Sequence, residues 1–95
     1  MIRKPAICIL LLFASAGCAG FATEQVVVDG AGPNDLLKLR TGPSLEYGII
    51  AGLPDGTPLT QYGCVTELGQ RWCEVSLQRA PDVRGYVSAD YIRPL

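Results

Sequence analysis

The chain has 95 residues, a formal net charge of −1 and no histidine. Without histidine, the most common general base and a frequent metal ligand are missing, which argues against acid–base catalysis and against a metal site. If Arg3 and Lys4 are removed with the N-terminal segment described below, six Lys and Arg residues remain against nine Asp and Glu, a net charge of −3. Because binding to phosphate backbones depends on clustered cations, nucleic acid is not an expected partner.

The N-terminal segment has the order of an export signal. Arg3 and Lys4 precede an unbroken apolar run over residues 6–14 (AICILLLFA), which is followed by small residues. This order is typical of a secretory signal peptide, and the run is shorter than the roughly 20 residues that cross a bilayer. We therefore predict a signal peptide over residues 1–22, in preference to a buried first strand or helix of the domain.

Two processing routes fit the end of this segment. Small residues at positions −3 and −1 allow a cut before Thr23, which would release an exported domain of residues 23–95. Alternatively, SAGC at residues 15–18 resembles the lipobox of bacterial lipoproteins; the signal would then cover residues 1–17, and Cys18 would be acylated. Both routes predict export beyond the inner membrane, to the periplasm or the envelope, with a lipid anchor only in the second case.

Short segments rich in apolar and β-branched residues alternate with Gly/Pro turns along the rest of the chain. The predicted strands are residues 25–28, 36–40, 47–53, 57–64, 71–77 and 84–87. In LKLR (residues 37–40) two leucines alternate with two basic residues, which predicts one buried and one exposed face. Residues 87–91 predict a single 3₁₀ turn capped by Ser88. Because no segment keeps a helical apolar period, the fold is predicted to be all-β, a small barrel or sandwich.

Two cysteines, Cys64 and Cys73, belong to the predicted domain, besides Cys18 if it is acylated. A metal site would need further ligands, a redox pair usually has Cys-x-x-Cys spacing, and a nucleophilic cysteine needs a base. In an oxidising compartment the pair is predicted to form a disulfide. Because Leu68-Gly69 between the two cysteines suits a tight turn, the disulfide would staple a β-hairpin.

Four segments follow one another in a recognisable order. They are LKLRTGPS (residues 37–44), YGIIAGLPDGTPL (47–59), RWCEV (71–75) and GYVSADYI (85–92). This ordered set resembles the bacterial SH3-like (SH3b) domain family, which implies a small SH3-like β-barrel of five to six short strands. The sequence departs from the family pattern at Arg71, which replaces a glycine, and at Tyr86, which replaces a tryptophan. Extra length over residues 78–84 predicts a protruding loop.

The resemblance implies a non-enzymatic binding module whose ligand is a cell-wall peptide or an envelope protein. No catalytic residue, cofactor or metal is predicted. Amphipathic aromatic side chains suit a shallow binding groove, and the candidate ligand-binding residues are Tyr47, Tyr86, Tyr91 and Trp72. We expect Tyr47 and Tyr91 to lie near one another, and Trp72 to pack partly into the core.

Two other functions stay open. In many relatives of this family the domain directs an attached hydrolase to its target. The absence of such an enzyme here would fit a periplasmic inhibitor, adaptor or assembly subunit. A structural lipoprotein anchored through Cys18 is the third reading. In each case we expect a monomer that contacts the membrane through that anchor alone.

Overall fold

The computed structural model describes residues 22–95. In that part of the chain, seven β-strands and one short 3₁₀ helix follow one another. They are β1 (Glu24–Val28), β2 (Leu37–Arg40), β3 (Ile49–Leu53), β4 (Pro58–Glu67), β5 (Gln70–Leu77), β6 (Ala80–Ser88), η1 (Ala89–Tyr91) and β7 (Ile92–Pro94). Apart from Ala22, the predicted signal peptide lies outside the described residues, as does Cys18.

The seven strands form one sheet in the order β3-β2-β6-β5-β4-β1-β7. Every neighbouring pair is antiparallel, and the sheet curls into a half-barrel. The predicted all-β, SH3-like fold with a 3₁₀ turn near the C-terminus is therefore confirmed. The described residues contain one strand more than predicted, because β7 is a three-residue strand formed by pairing with the distant β1.

The hydrophobic core consists of side chains from six of the seven strands. Its buried members are Val26, Val28, Leu37, Leu39, Leu53, Leu59, Cys73, Val75 and Val87. In β2 the two leucines are buried while the two basic residues between and after them are partly exposed, so the predicted alternation is confirmed. Burying aliphatic side chains on one face of each strand removes apolar surface from water, which is the main stabilising contribution to such a sheet.

The β4–β5 hairpin carries the disulfide. Cys64 and Cys73 are directly opposite one another in the register of the two strands, and their sulfur atoms are bonded. The predicted disulfide is therefore confirmed. Farther from the turn than Cys64, β4 has a register shift between Gln61 and Gly63, and Tyr62 is the extra residue of this bulge. The bulge directs the Tyr62 side chain to the outer side of the sheet, where it bonds to Ser76.

The predicted loop over residues 78–84 is wrong. Gln78 and Arg79 form a tight turn, and β6 already begins at Ala80, which pairs with Leu77. The next pair is Ser76 with Arg84, so the three residues 81–83 have no partner on β5. The extra length is accommodated as an irregularity inside β6, where the proline at position 81 does not need to donate to the ladder.

The chain then turns through η1. The Ser88 hydroxyl accepts a hydrogen bond from the Asp90 amide at 3.3 Å, which confirms the predicted cap. The Tyr91 carbonyl accepts a bond from the Asp29 amide at 2.8 Å. Pairing of β7 with β1 follows directly, so the last part of the domain is tied to the first.

Candidate binding groove

An open groove of about 770 Å³ lies between the β2–β3 loop and the tip of the β4–β5 hairpin. The loop contributes residues 43–47 to its lining. The hairpin and the neighbouring strand contribute Glu67, Leu68, Gln70, Trp72 and Ser88. Cavities of this size are typical of ligand sites, and these segments come together because β6 pairs with β2 on one side and with β5 on the other.

The β2–β3 loop is held in one shape by its own hydrogen bonds. The Thr41 amide donates to the Gly48 carbonyl at 2.9 Å and closes the loop. The Arg40 guanidinium donates to the carbonyls of Leu45 and Tyr47, both at 3.1 Å. These bonds satisfy the backbone of an exposed loop and fix the segment that forms one side of the groove.

The Tyr47 ring packs on the backbone of Gly42. A Cβ atom at Gly42 would lie 2.5–2.6 Å from three ring carbons of Tyr47, far closer than any real contact. Only glycine therefore lets the ring rest at this position. The ring remains 48% exposed, so it is positioned by the loop and still available to a ligand.

Trp72 lies on the outer side of β5. Side chains alternate along a strand, so Trp72 points away from the face that carries Cys73 and Val75. It is only 4% exposed, in agreement with the expected burial, but it is not a member of the core cluster. Its cross-strand neighbours are Val65 and Ser88, and it forms a buried aromatic wall of the groove.

The hairpin tip forms the facing side. Leu68 has a φ of 50°, and among the described residues it is the one non-glycine residue in the left-handed region. Gly69 follows with a φ of 81°, so both central residues of the turn have positive φ, as in a type I′ turn. The Leu68 side chain is 99% exposed and projects at the edge of the groove.

The charge on the groove has one sign. Glu46 lies in its loop and Glu67 at the hairpin tip, and no Lys or Arg side chain is found among the described residues that line it. The groove therefore presents carboxylates beside apolar and aromatic surface. Such a surface favours a ligand that carries a positive group.

A cluster of polar side chains lies on the outer face of the sheet, outside the groove lining. The hydroxyls of Tyr62 and Ser76 share a hydrogen bond of 2.8 Å, and the Arg84 guanidinium lies 3.7 Å from the Tyr62 ring centroid. Arg84 also donates to Glu74 at 2.8 Å, and this hydrogen bond raises the pKa of Arg84 above its usual range. The polar side chains of this cluster therefore find their partners within the cluster itself.

The structure brings together two of the four candidate aromatic residues. Tyr47 and Trp72 line the groove, whereas Tyr86 and Tyr91 lie outside its lining. Tyr86 is on β6 opposite Glu74, and the Tyr91 ring packs near Gly30. Tyr47 and Tyr91, which were expected to lie near one another, therefore do not line this groove together.

Sequence reasoning missed two leucines of the groove. Leu45 is 73% exposed and Leu68 is 99% exposed, and an apolar side chain in a turn gives no sign of which surface it will border. The one usable sign was the residue before Gly69, where a type I′ turn normally has Asn, Asp or Gly.

Metal and membrane signatures were sought in the same part of the chain. Residues 22–95 contain no group of three or more His, Cys, Asp or Glu side chains placed to hold a metal ion. Within that range, no helix has the length and hydropathy that a membrane crossing requires.

The chain was compared with models of protein families. A family model described as "Bacterial SH3 domain" matches residues 35–93, a range that runs from just before β2 into β7 and includes the whole groove. No curated protein and no solved structure matches the chain.

Proposed function

The chain belongs to the bacterial SH3 domain family, and on that premise we propose that it is a non-enzymatic binding module of the bacterial cell envelope that holds an extended peptide in the groove beside Trp72. The groove is the observation that carries this proposal. Leu45 is 73% exposed and Tyr47 is 48% exposed on its loop side, and exposed apolar and aromatic side chains grouped along a concave surface are typical of an interaction site. A ligand that covers them would remove this surface from water.

A peptide fits the groove better than a compact small molecule does. The groove is open to solvent and is bordered by side chains with both apolar and polar atoms. The half-exposed Tyr47 offers a ring face for side-chain contact and a hydroxyl for the peptide backbone. Trp72 is almost completely buried, so its part is to shape the wall rather than to supply most of the contact area.

Charge narrows the class of peptide. With Glu46 and Glu67 on the lining and no Lys or Arg among the described residues that line the groove, a peptide with a free amino group is favoured over an anionic polymer. We therefore take a cell-wall peptide, the peptide part of peptidoglycan, as the first ligand to test. A basic segment of an envelope protein is the second, and it would make the protein an adaptor, inhibitor or assembly subunit.

The proposed compartment rests on two features. The Cys64–Cys73 disulfide is of the kind that persists in oxidising compartments outside the cytoplasm, and the N-terminal residues have the pattern of an export signal. The mass of the intact protein isolated from its native cells distinguishes the two routes: a polypeptide that begins at Thr23 indicates signal cleavage without lipidation, and a diacylated N-terminus at Cys18 indicates a lipoprotein.

The binding test uses purified sacculi and, in parallel, periplasmic extract. Wild-type protein, Tyr47→Ala and Tyr91→Ala are compared in pull-downs from both. The two tyrosines are similarly exposed, 48% and 41%, but only Tyr47 lines the groove. We expect wild-type protein to be retained by sacculi and Tyr47→Ala to bind about tenfold more weakly, which corresponds to roughly 1.4 kcal/mol. Tyr91→Ala tests the alternative position of the site and should bind as wild type does.

Gly42→Ala provides an independent arm. The added methyl group would displace the Tyr47 ring without removing any atom of the groove, so it should weaken sacculus binding in the same direction. Retention of all three variants at the wild-type level would place the contact outside this groove. Loss with Tyr91→Ala alone would move the site towards η1, and retention by a protein in the extract but not by sacculi would favour the adaptor function.

A further inference from the structure

The tip of the β4–β5 hairpin is unfavourable for the free protein. Leu68 occupies the left-handed region, where the side chain of an L-residue crowds the following carbonyl, and where Asn, Asp or Gly is preferred. Its side chain is 99% exposed, so it gains nothing from burial. Neither the conformation nor the packing of the domain accounts for a leucine at this position.

The same tip is held firmly. Glu67 and Gln70 pair at the end of the two strands, and the Gln70 side chain donates to the Ser88 hydroxyl on β6 at 2.9 Å. Three residue pairs below the tip, the Cys64–Cys73 disulfide joins the strands. The backbone that carries Leu68 is therefore ordered before a ligand arrives, and binding has to order only the leucine side chain itself.

Leu68 is also not a scattered surface leucine. It lines the groove that Leu45 and Tyr47 line from the loop side, so exposed apolar groups border the groove on both sides. A peptide lying between them would have its side chains covered by the hairpin tip as well as by the loop.

We propose that the hairpin tip is a ligand-binding arm of the groove, in which Leu68 covers an aliphatic side chain of the bound peptide and sets a preference for peptides that carry one. This proposal rests on the groove being the peptide site. In this proposal the left-handed backbone conformation directs the Leu68 side chain towards the bound peptide. Such local strain is often found at binding sites. Stability and binding then make opposite demands at this position.

The opposite demands give the test its design. Leu68→Gly and Leu68→Asn both suit the left-handed turn, so the melting temperature should stay equal or rise, while retention on purified sacculi should fall about tenfold. Leu95→Asn is the control, because Leu95 is 70% exposed and lies outside the groove lining. It removes an exposed leucine and should leave retention unchanged.

A second measurement reads specificity. Trp72 is the only tryptophan of the chain and lines the groove, so its fluorescence can follow titration with synthetic peptides. Wild-type protein should bind an alanine-containing tetrapeptide with a free amino group more tightly than its all-glycine counterpart. Leu68→Gly should lose most of that difference, a change that a purely structural role would not produce.

Three results would overturn the proposal. If Leu68→Gly binds sacculi as well as wild type does while Tyr47→Ala does not, the groove is the peptide site and the tip is not part of it. If binding and melting temperature fall together in both Leu68 variants, Leu68 is structural. Failure of Tyr47→Ala and Leu68→Gly alike to weaken binding would instead reject the groove itself, and with it the arm.

Discussion

Strands β2 and β5 both supply the core, but they bury their side chains in different ways. In β2 the burial alternates residue by residue, with Leu37 and Leu39 inside and the basic residues partly exposed. In β5 adjacent residues are buried in pairs: Trp72 with Cys73, and Val75 with Ser76. One strand therefore has a single inner face, and the other is covered on both sides.

The difference shows which strand of this small domain has side chains covered on its outer face as well as on its inner face. The outer face of β5 is covered at Ser76 by Tyr62, which the bulge in β4 directs there. At Trp72 the same face borders the groove. An amphipathic strand that contributes only to the core leaves its other face to water, whereas β5 joins the core to the candidate binding surface.

The largest loss of stability is expected in β2, where only one face of the strand is buried. Leu39 has no exposed surface, so Leu39→Asp would bury an unpaired charge and should prevent folding. Lys38→Asp introduces the same side chain one position away, on the partly exposed face, and loses an exposed ion pair with Asp35 and an exposed hydrogen bond to the Leu36 carbonyl, so it should leave the domain folded. Circular dichroism and urea unfolding of the two variants give the comparison. A folded Leu39→Asp protein would show that the faces of β2 are assigned wrongly.

A smaller loss is expected on the core side of β5. Replacing Cys64 and Cys73 by serine removes a cross-link with a sequence separation of 9 and places a hydroxyl at a position that is 2% exposed. We expect a loss of about 2–3 kcal/mol in the free energy of unfolding, mainly because the unfolded chain gains freedom. Urea unfolding of the double variant against the oxidised wild type measures it. An unchanged midpoint would mean that packing alone holds the hairpin.

The smallest of the three effects concerns the outer side of β5. Tyr62→Phe keeps the ring beneath Arg84 but leaves the Ser76 hydroxyl, which is 1% exposed, without its partner. Leaving a buried polar group unsatisfied costs about 1–3 kcal/mol. In a Ser76→Ala background the same change should cost much less, because no orphaned hydroxyl remains. Equal costs in both backgrounds would show that the Tyr62–Ser76 bond does not hold this face together.

The features that sequence reasoning predicted correctly are those set by near neighbours. Alternation in LKLR, the cap at Ser88 and the cysteine pair on either side of a Leu-Gly turn each depend on a few adjacent residues, and each is confirmed. What was missed depends on pairing between distant segments. The residues after Arg79 form a strand because β5 offers them an edge, and β7 exists because β1 does.

The candidate site follows the same division. Tyr47 and Trp72 could be selected as aromatic residues in a recognised pattern, but their meeting in one groove depends on how the β2–β3 loop is placed against β5. Leu45 could not be selected, and at Leu68 the only sign was an unusual residue before Gly69, because both line the groove through their exposure at a particular place in the assembled sheet. Burial and exposure of single side chains in turns are properties of the assembled sheet, not of the local sequence.

The pairing of β1 with β7 has a consequence for how the domain can be attached. The Leu95 amide donates to the Gln25 carbonyl at 3.1 Å, so the first and last strands lie side by side, and neither contributes to the groove lining. A lipid or linker joined before β1 and a further domain joined after β7 would leave the molecule from neighbouring points. The domain can thus be tethered from either direction, or placed between two other domains, without an attachment at the groove.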